Sequence, residues 1–555
     1  MRVTFFWVAG IALLIKAFFD DKIGIDEGWG RGRFFILITG LVCIFAALLI
    51  HLLEKRFEGL KNNISDFVNE HINRTTQFVI VFFITTSAVI ISYIWFAQPA
   101  VRTLQNSYNY YSEQAIAFKA GNLFVAEEPS INLLSLSNPY DYFLRKEHNI
   151  EDFPWDVSLY KGKFYLYWGP APAVLLTLLG QKLLSQIGDH HITLTFACGL
   201  FLYAMLIITT HWNTHPQRAP IWITCVFLLT FGFATPITIM LQDSRIYEAS
   251  ILGCQFFFIG GCYWVYSAIN NNQPVLWKLV LGSIHWALAA GTRVTIAPVI
   301  LFTVFTTLLY IYRTSRNIEL RSYLKSAAAL GIPLLLAALG LGWYNWARFD
   351  SIFEFGITYQ LTNVDYNLFK SSFSKSYMQG NLYNYLLYPF KLLNKFPYIS
   401  RIEYLPSNER MAGLIFLSPY VLLVTVPLFR FIKNFIRGKT SFPEQKKMEF
   451  SENWLIGIFA SSTVIAMTLI LSFYFVTMRY LADFMPSLLL LTTIQLGREF
   501  RQQNRTDISR QVLSGILITL SLLTIMANIL VAVPQSAVIY ASNLMNFVSK
   551  LVGLK

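Results

Sequence analysis

The chain has 555 residues, of which 55% are hydrophobic and only 14% charged, with a mean hydropathy of +0.48. So few charges cannot cover a soluble globule of this size, and the composition is that of an integral membrane protein. The formal net charge of +13 does not point to nucleic acid, because the basic residues sit in short loops beside apolar segments and form no aromatic-interleaved patch.

Apolar runs recur at 4–20, 34–53, 77–97, 169–186, 192–211, 220–240, 247–268, 277–291, 294–313, 323–346, 413–433, 454–475, 480–496 and 512–533. At 1.5 Å per residue such runs are long enough to cross a hydrocarbon layer about 30 Å thick. Strand-type alternation over about ten residues is absent, so the expected fold is an all-α polytopic bundle and not a β-barrel. The first run follows a lone Arg2 and precedes FFDDKIG with no small-residue cleavage site, which reads as a retained span. All five cysteines (Cys43, Cys198, Cys225, Cys254 and Cys262) fall inside apolar runs, where they behave as small apolar residues and indicate no disulfide framework.

Loops 313–325 (RTSRNIELRSYLK), 430–447 and 498–510 are strongly basic, which the positive-inside rule assigns to the cytoplasm. Residues 347–412, the segment around Arg479 and the C-terminal tail are then expected outside. Loop 54–76, with Lys55, Arg56, Lys61 and Arg74, is set inside against the acidic stretch 19–33, and this puts the long polar loop 98–168 outside. Counting every run as a crossing then places 313–325 on the wrong side, so one run must fail to cross. Run 169–186 begins with Gly169, Pro170 and Pro172, is short in apolar residues and carries Lys182 near its end, features of a half-inserted helix. The competing repair fuses 277–313 into one bent span around Arg293. The first is preferred because it also brings the unusual polar residues to one face. About thirteen spans are expected. They divide into an N-terminal hairpin and cytoplasmic loop (1–76), a transmembrane module that includes the outer loop 98–168 (77–346), a second outer loop (347–412) and C-terminal helices (413–555).

Ionisable and aromatic residues stand at the ends of several runs: Asp243, Arg245, Tyr247 and Glu248 in LQDSRIYEASI, Arg293 in AAGTRVTIAP, and Arg479, Tyr480 and Asp483 in TMRYLADFMP. A charge at that depth is costly unless it faces protein or water, so each is a functional candidate. Loop 98–168 mixes Tyr, Trp and Phe with Asn, Asp and Glu, the chemistry of a sugar-binding surface in which rings stack on CH faces and polar groups take hydroxyls. An interfacial aromatic belt accounts for single rings, but not for the interspersed acids. There is no Walker loop, no GxGxxG after a strand, no HExxH and no Cys/His ligand spacing, so no nucleotide, metal or other cofactor is indicated. The pair His190–His191 reads as a solvated loop end, and the sequons at Asn63, Asn73 and Asn504 as chance matches in cytoplasmic loops.

Four stretches resemble the glycosyltransferase C (GT-C) superfamily, in particular a bacterial branch of it: YNYYSEQAIAFKAGNL (108–123), DVSLYKGKFYLYWGPAPA (156–173), DSRIYEASILGCQFF (243–257) and YNWARFDSIFEFGITYQL (344–361). RYLADFMP (479–486) is a fifth, weaker match, and the second and fourth are the specific ones. The resemblance implies a multi-pass transferase of the bacterial cytoplasmic membrane, embedded in membrane lipid and binding no nucleic acid. It would move a sugar, with inversion, from a polyprenyl-phosphate donor to an extracytoplasmic acceptor that is a lipid, a glycan or a protein. An acid in the first outer loop takes the acceptor proton, and basic residues at helix ends hold the donor phosphate.

Members of this kind often place the acid just after the span preceding the loop. Here that stretch reads Gln105-Asn106-Ser107-Tyr108, with no carboxylate before Glu113. The role of base therefore falls first to Asp156, which opens the best-matching motif, and then to Glu113 and Glu248. Their ordinary alternatives are a turn cap, a solvated helix residue and a partner of Arg245. Arg293 is the first candidate for the donor phosphate, followed by Arg245 and Arg479, whose rival roles are ion pairs with Glu248 and Asp483. Tyr108, Tyr165, Trp168, Tyr247, Arg348 and Tyr480 are expected at the substrate. The metal-dependent variant of the superfamily is not expected, because the first outer loop holds no Asp-x-Asp pair. The competing function is a transporter or flippase of a lipid-linked sugar or other envelope precursor, which calls for inverted repeats, broken helices and mid-bilayer acids.

Overall fold

The computed structural model describes residues 10–13, 40, 74–103, 109–214, 221–271, 273–314, 319–369, 371–394, 396–404, 409–427, 447–501 and 507–534. Most of runs 4–20 and 34–53, together with Tyr108 and the three sequons, lies outside the described residues. The chain divides into two compact units, Met1–Phe83 and Ile84–Lys555. Everything below concerns residues of the second.

The long helices are α1 (Arg74–Thr103), α7 (Asp189–Thr214), α10 (Ile246–Ile269), α11 (Leu276–Thr292), α12 (Ala297–Thr314), α13 (Leu320–Phe349), α16 (Lys447–Ser472), α17 (Met485–Arg501) and α18 (Asp507–Val531). Between them lie the short helices α2 (Tyr110–Lys119), α3 (Ile131–Leu134), α4 (Tyr142–Glu147), α5 (Ala171–Leu176), α6 (Gln181–Leu184), α8 (Ile221–Ala234), α9 (Ile237–Gln242), α14 (Met378–Leu387) and α15 (Leu414–Leu417). Strands among the described residues form three two-stranded antiparallel sheets: β1–β2 (Ser158–Tyr160, Lys163–Tyr165), β3–β4 (Lys391–Leu392, Ile399–Ser400) and β5–β6 (Ile402–Tyr404, Glu409–Met411). Seven helical segments are long and apolar enough to cross a membrane, in α1, α7, α10, α12, α13, α16 and α18. The protein is a mostly helical membrane protein.

Helix α10 forms the centre: 83% of its apolar window is buried inside the protein, against 11% for α13, whose Leu335, Leu336 and Leu339 face outward. An apolar helix left this exposed is stable only where hydrocarbon covers it. Small residues let the central helices approach closely, since lipid offers no hydrophobic drive to hold them together. A Cβ on Gly261 of α10 would lie 2.9 Å from the carbonyl oxygen of Gly282 in α11. The run 220–240 is broken at Pro236, which has no N–H for the carbonyl of Gly232 four residues earlier. The Tyr93 hydroxyl of α1 donates to that oxygen instead, at 2.7 Å.

The helices alternate in direction, and this collects specific termini at each end. One end joins the first residues of α7 and α10 with the last of α11 and α13. At the opposite end Arg501 of α17 donates to Glu452 of α16 at 2.6 Å beside His211 of α7, and Ser451 meets Asn270 at 3.2 Å. Arg501 and Glu452 have side chains only 8% and 4% exposed, so this ion pair is internal and knits three helices.

Candidate active site

The polar segment 109–188 leaves and returns to the same end of the bundle. The N–H groups of Tyr110 and Tyr111, which open α2, donate to the two carboxylate oxygens of Asp189 at the start of α7, each at 3.2 Å. Asp189 thus caps α2 from a distant point in the chain, satisfying N–H groups that no helical carbonyl reaches. Because the two ends of the segment touch, it makes no net crossing. Within it α5 and α6 have six and four residues, about 9 and 6 Å of helix, so run 169–186 contains no spanning helix.

The motif at 165–173 is docked by a close backbone approach. A Cβ on Gly169 would lie 2.2 Å from the carbonyl oxygen of Gly291 and 2.6 Å from that of Thr292, at the C-terminal end of α11. Only glycine fits there, and this fixes the preceding Trp168 beside the charged ends of α10 and α11.

The two polar loops are joined to each other. The N–H of Asp156 donates to the Leu361 carbonyl at 3.1 Å, and the N–H of Leu361 donates to the Val157 carbonyl at 2.8 Å. Arg145, 2% exposed, donates to the carbonyls of Pro139 and Thr362, each at 2.6 Å. Arg348, 4% exposed, donates to the Leu166 carbonyl at 2.6 Å and to the Asn345 side-chain oxygen at 2.9 Å, and stacks 3.7 Å from the Tyr344 ring centroid. Expected at the substrate, Arg348 is instead a clamp whose donors are taken up inside the fold. Tyr165 is likewise buried against Phe124 and Phe349.

At the centre stands Asp156, 7% exposed and in the left-handed conformation at φ 62, which a short polar side chain tolerates. The Tyr247 hydroxyl, on the first turn of α10, donates to its Oδ2. Its Oδ1 is buried and has no hydrogen-bond partner. Burial pushes this carboxyl above the ordinary aspartate range, against the opposing pull of Tyr247, Thr362, Arg479 and Gln360.

Arg479 covers the other side of Tyr247, its guanidinium carbon 4.7 Å from the ring centroid, a cation–π contact. Its Nη1 meets Glu409 Oε1 at 3.0 Å and Glu248 Oε1 at 3.8 Å, while its Nε–H is buried without a partner. Burial works against the charge on Arg479, but Glu248, Tyr480 and Glu409 outweigh it and hold the pKa above the ordinary value. Glu248 also accepts from the backbone N–H of Arg245 at 3.0 Å, as an N3 residue does at a helix start. Arg293 pairs with Asp483 at 3.0 Å and lies 5.7 Å from the Tyr480 ring centroid. Trp168 packs edge-on against Tyr247 at 5.5 Å and Tyr110 at 5.2 Å.

The pairings therefore differ from the rival roles read in the sequence. The guanidinium of Arg245 goes to Asp243 at 3.1 Å and stays exposed, Arg479 goes to Glu409 and Glu248, and Asp483 is held by Arg293. Asp156, Trp168, Tyr247, Glu248, Arg479 and, through Tyr480, Arg293 stand together. Glu113, half-buried on α2 and pushed up by burial, makes no printed contact with Asp156 and neighbours Glu127. Glu409 and Gln360 were not among the expected residues. Glu409 follows Pro-Ser-Asn in an otherwise aromatic stretch, and that acid beside Arg410 was the available signal.

Among the described residues, no group of three or more His, Cys, Asp or Glu is placed to hold a metal ion. Comparison of the chain with protein-family models, with curated proteins and with solved structures finds no match in any of the three.

Proposed function

We propose that the protein is a GT-C-like membrane glycosyltransferase of about thirteen spans, which moves a sugar from a polyprenyl-phosphate donor to an acceptor outside a bacterial cytoplasmic membrane. The observation that carries this reading is a buried acceptor and a buried donor, Asp156 Oδ1 and Arg479 Nε, both unpartnered and both beside Tyr247. An unsatisfied buried polar group costs about 1–3 kcal/mol, so such groups mark places where a ligand completes the bonding.

In this reading the acceptor hydroxyl gives its proton to Asp156 Oδ1 while its oxygen attacks the anomeric carbon from the face opposite the phosphate. The carbon–oxygen bond to phosphate breaks, its electron pair leaves with the phosphate, and Arg479 holds the departing charge, with Arg293 next to it through Tyr480. A positioned base contributes about 10²–10⁴-fold. Asp156 is placed ahead of Glu248, whose oxygens are both engaged, and ahead of Glu113. The burial of Arg479 and Arg293 at helix ends suits a phosphate delivered by a membrane-held lipid.

The test is sugar transfer by the purified protein in nanodiscs supplied with radiolabelled polyprenyl-phosphate sugars and a crude envelope fraction as acceptor. Transfer is expected for the wild type and lost in Asp156→Asn and Arg479→Gln. Wild-type transfer by either variant defeats the site assignment, and transport of the donor without transfer defeats the reading as an enzyme.

A further inference from the structure

The hairpin β5–β6 carries two more cations to the edge of this site. Its register pairs Glu403 with Arg410 and Tyr404 with Glu409. Side chains alternate along a strand, so Glu409 points to one face and Arg410 to the other. On its own face Glu409 reaches Arg479 at 3.0 Å. Arg401, immediately before β5, shares the face of Glu403 and Arg410.

The nearby acids are already engaged or too far to pair. Asp243 is held by Arg245, Glu409 by Arg479, and neither Arg401 nor Arg410 makes an ion pair among the described residues. Arg410 is exposed and Arg401 half-buried. The pKa of Arg401 is pushed down to about 10, first by burial and then by Arg410 beside it, with Glu409 and Asp243 only partly offsetting this. Two guanidinium groups held together, one of them partly dehydrated and neither neutralised, cost free energy that a bound dianion removes. Planar forks of this kind suit phosphate oxygens.

We infer that Arg401 and Arg410 form a second phosphate site on the rim of the candidate active site, which takes a phosphate carried by the sugar acceptor. The word acceptor rests on the glycosyl-transfer reading; the site itself does not. Glu409 stands between this pair and Arg479, and its carboxylate repels a phosphate joined directly to one bound at Arg479. A diphosphate on a single lipid headgroup is therefore disfavoured, and two phosphates on two different molecules fit. The exposure of Arg410 opens the rim site to water, whereas Arg479 is enclosed, its side chain 18% exposed.

The experiment uses the full chain in phosphatidylcholine nanodiscs and two probes, a water-soluble glycerol-phosphate oligomer and decaprenyl monophosphate. The oligomer is expected to bind with an affinity that falls with salt, and saturating decaprenyl monophosphate is expected to leave that affinity unchanged. The double variant Arg401→Gln/Arg410→Gln is expected to lose at least tenfold in oligomer affinity and to keep decaprenyl monophosphate binding within twofold. Arg479→Gln should do the reverse. Unchanged oligomer binding by a double variant that remains monodisperse and thermally stable overturns the site. Displacement of the oligomer by decaprenyl monophosphate overturns it too, because the two phosphates then share one place. Failure of decaprenyl monophosphate to bind at all strikes the proposed function and leaves the oligomer measurement to stand by itself.

Discussion

Gly169→Ala tests whether the motif 165–173 is docked as the structure shows. The added methyl would meet two backbone carbonyl oxygens of α11 at 2.2 and 2.6 Å, where ordinary contact begins at 3.4 Å. Neither can rotate away, because both belong to the helix backbone. The motif and α11 must separate by about 1 Å, and overpacking of this kind costs about 1–3 kcal/mol, occasionally more. The displaced neighbour is Trp168, which braces Tyr247, and Tyr247 holds Asp156. A misplacement of about 1 Å is enough to lower a positioned reaction by about 100-fold. The assay is thermal unfolding of the purified protein in nanodiscs, which needs no substrate, followed by transfer. Gly457→Ala is the control of opposite sign: it lies in the interior of α16 with nothing within 4 Å of the added methyl, and a helical Gly→Ala change stabilises by about 0.5–1 kcal/mol. An unfolding midpoint for Gly169→Ala at or above that of the wild type refutes the close approach.

The raised pKa of Asp156 makes two pH predictions. As a base it must be ionised, so transfer should fall on acidification at a higher pH than an exposed aspartate would give, and Tyr247→Phe should move that limb higher still by removing a bond to the charged form. The folded chain binds this proton more tightly than the unfolded chain, so stability is greatest below the ordinary aspartate pKa and falls as pH rises through the folded value. Asp156→Asn should remove that part of the slope and unfold no earlier than the wild type at neutral pH, as followed by pH-dependent melting. Arg348→Ala should cost about 1.5–3 kcal/mol by leaving the Leu166 carbonyl without its charged donor, seen as earlier proteolysis of the β1–β2 hairpin. At the opposite end, Glu452→Ala leaves Arg501 buried and alone and should cost about 3–5 kcal/mol. The paired variant Glu452→Leu/Arg501→Leu should melt higher than Glu452→Ala; a lower midpoint counts against an internal ion pair.

Much of the site could be located from the chain itself, because charges placed in or beside apolar runs are rare enough to be noticed one at a time. Asp156, Tyr247, Glu248, Arg293 and Arg479 stood out in this way and lie close together in the fold. Their partners did not. Glu248 was set against Arg245, three residues away, and Arg479 against Asp483, four residues away, because spacing along a helix is the only proximity a sequence displays. The fold routes those charges across elements instead, from Arg479 to Glu409 and from Arg293 to Asp483, separations of 70 and 190 residues. Arg348 shows the same limit: its charge at a helix end marked it for a ligand, but the carbonyl of Leu166 had already claimed it.

Composition and the length of the apolar runs were sufficient for the helical membrane character, since hydrocarbon admits only segments that satisfy their own backbone. The loss of one crossing was already forced by the charge balance of the loops. What only the tertiary structure decided is how the polar loops use their residues. The contact of Asp189 with Tyr110 and Tyr111, the seat of Gly169 on α11, and the ladder that joins 156–158 to 360–361 all depend on backbone groups meeting across long stretches of chain. Backbone groups are the same in every residue, so the sequence carries no mark of where they will pair, and it is these pairings that leave one oxygen of Asp156 and one nitrogen of Arg479 free.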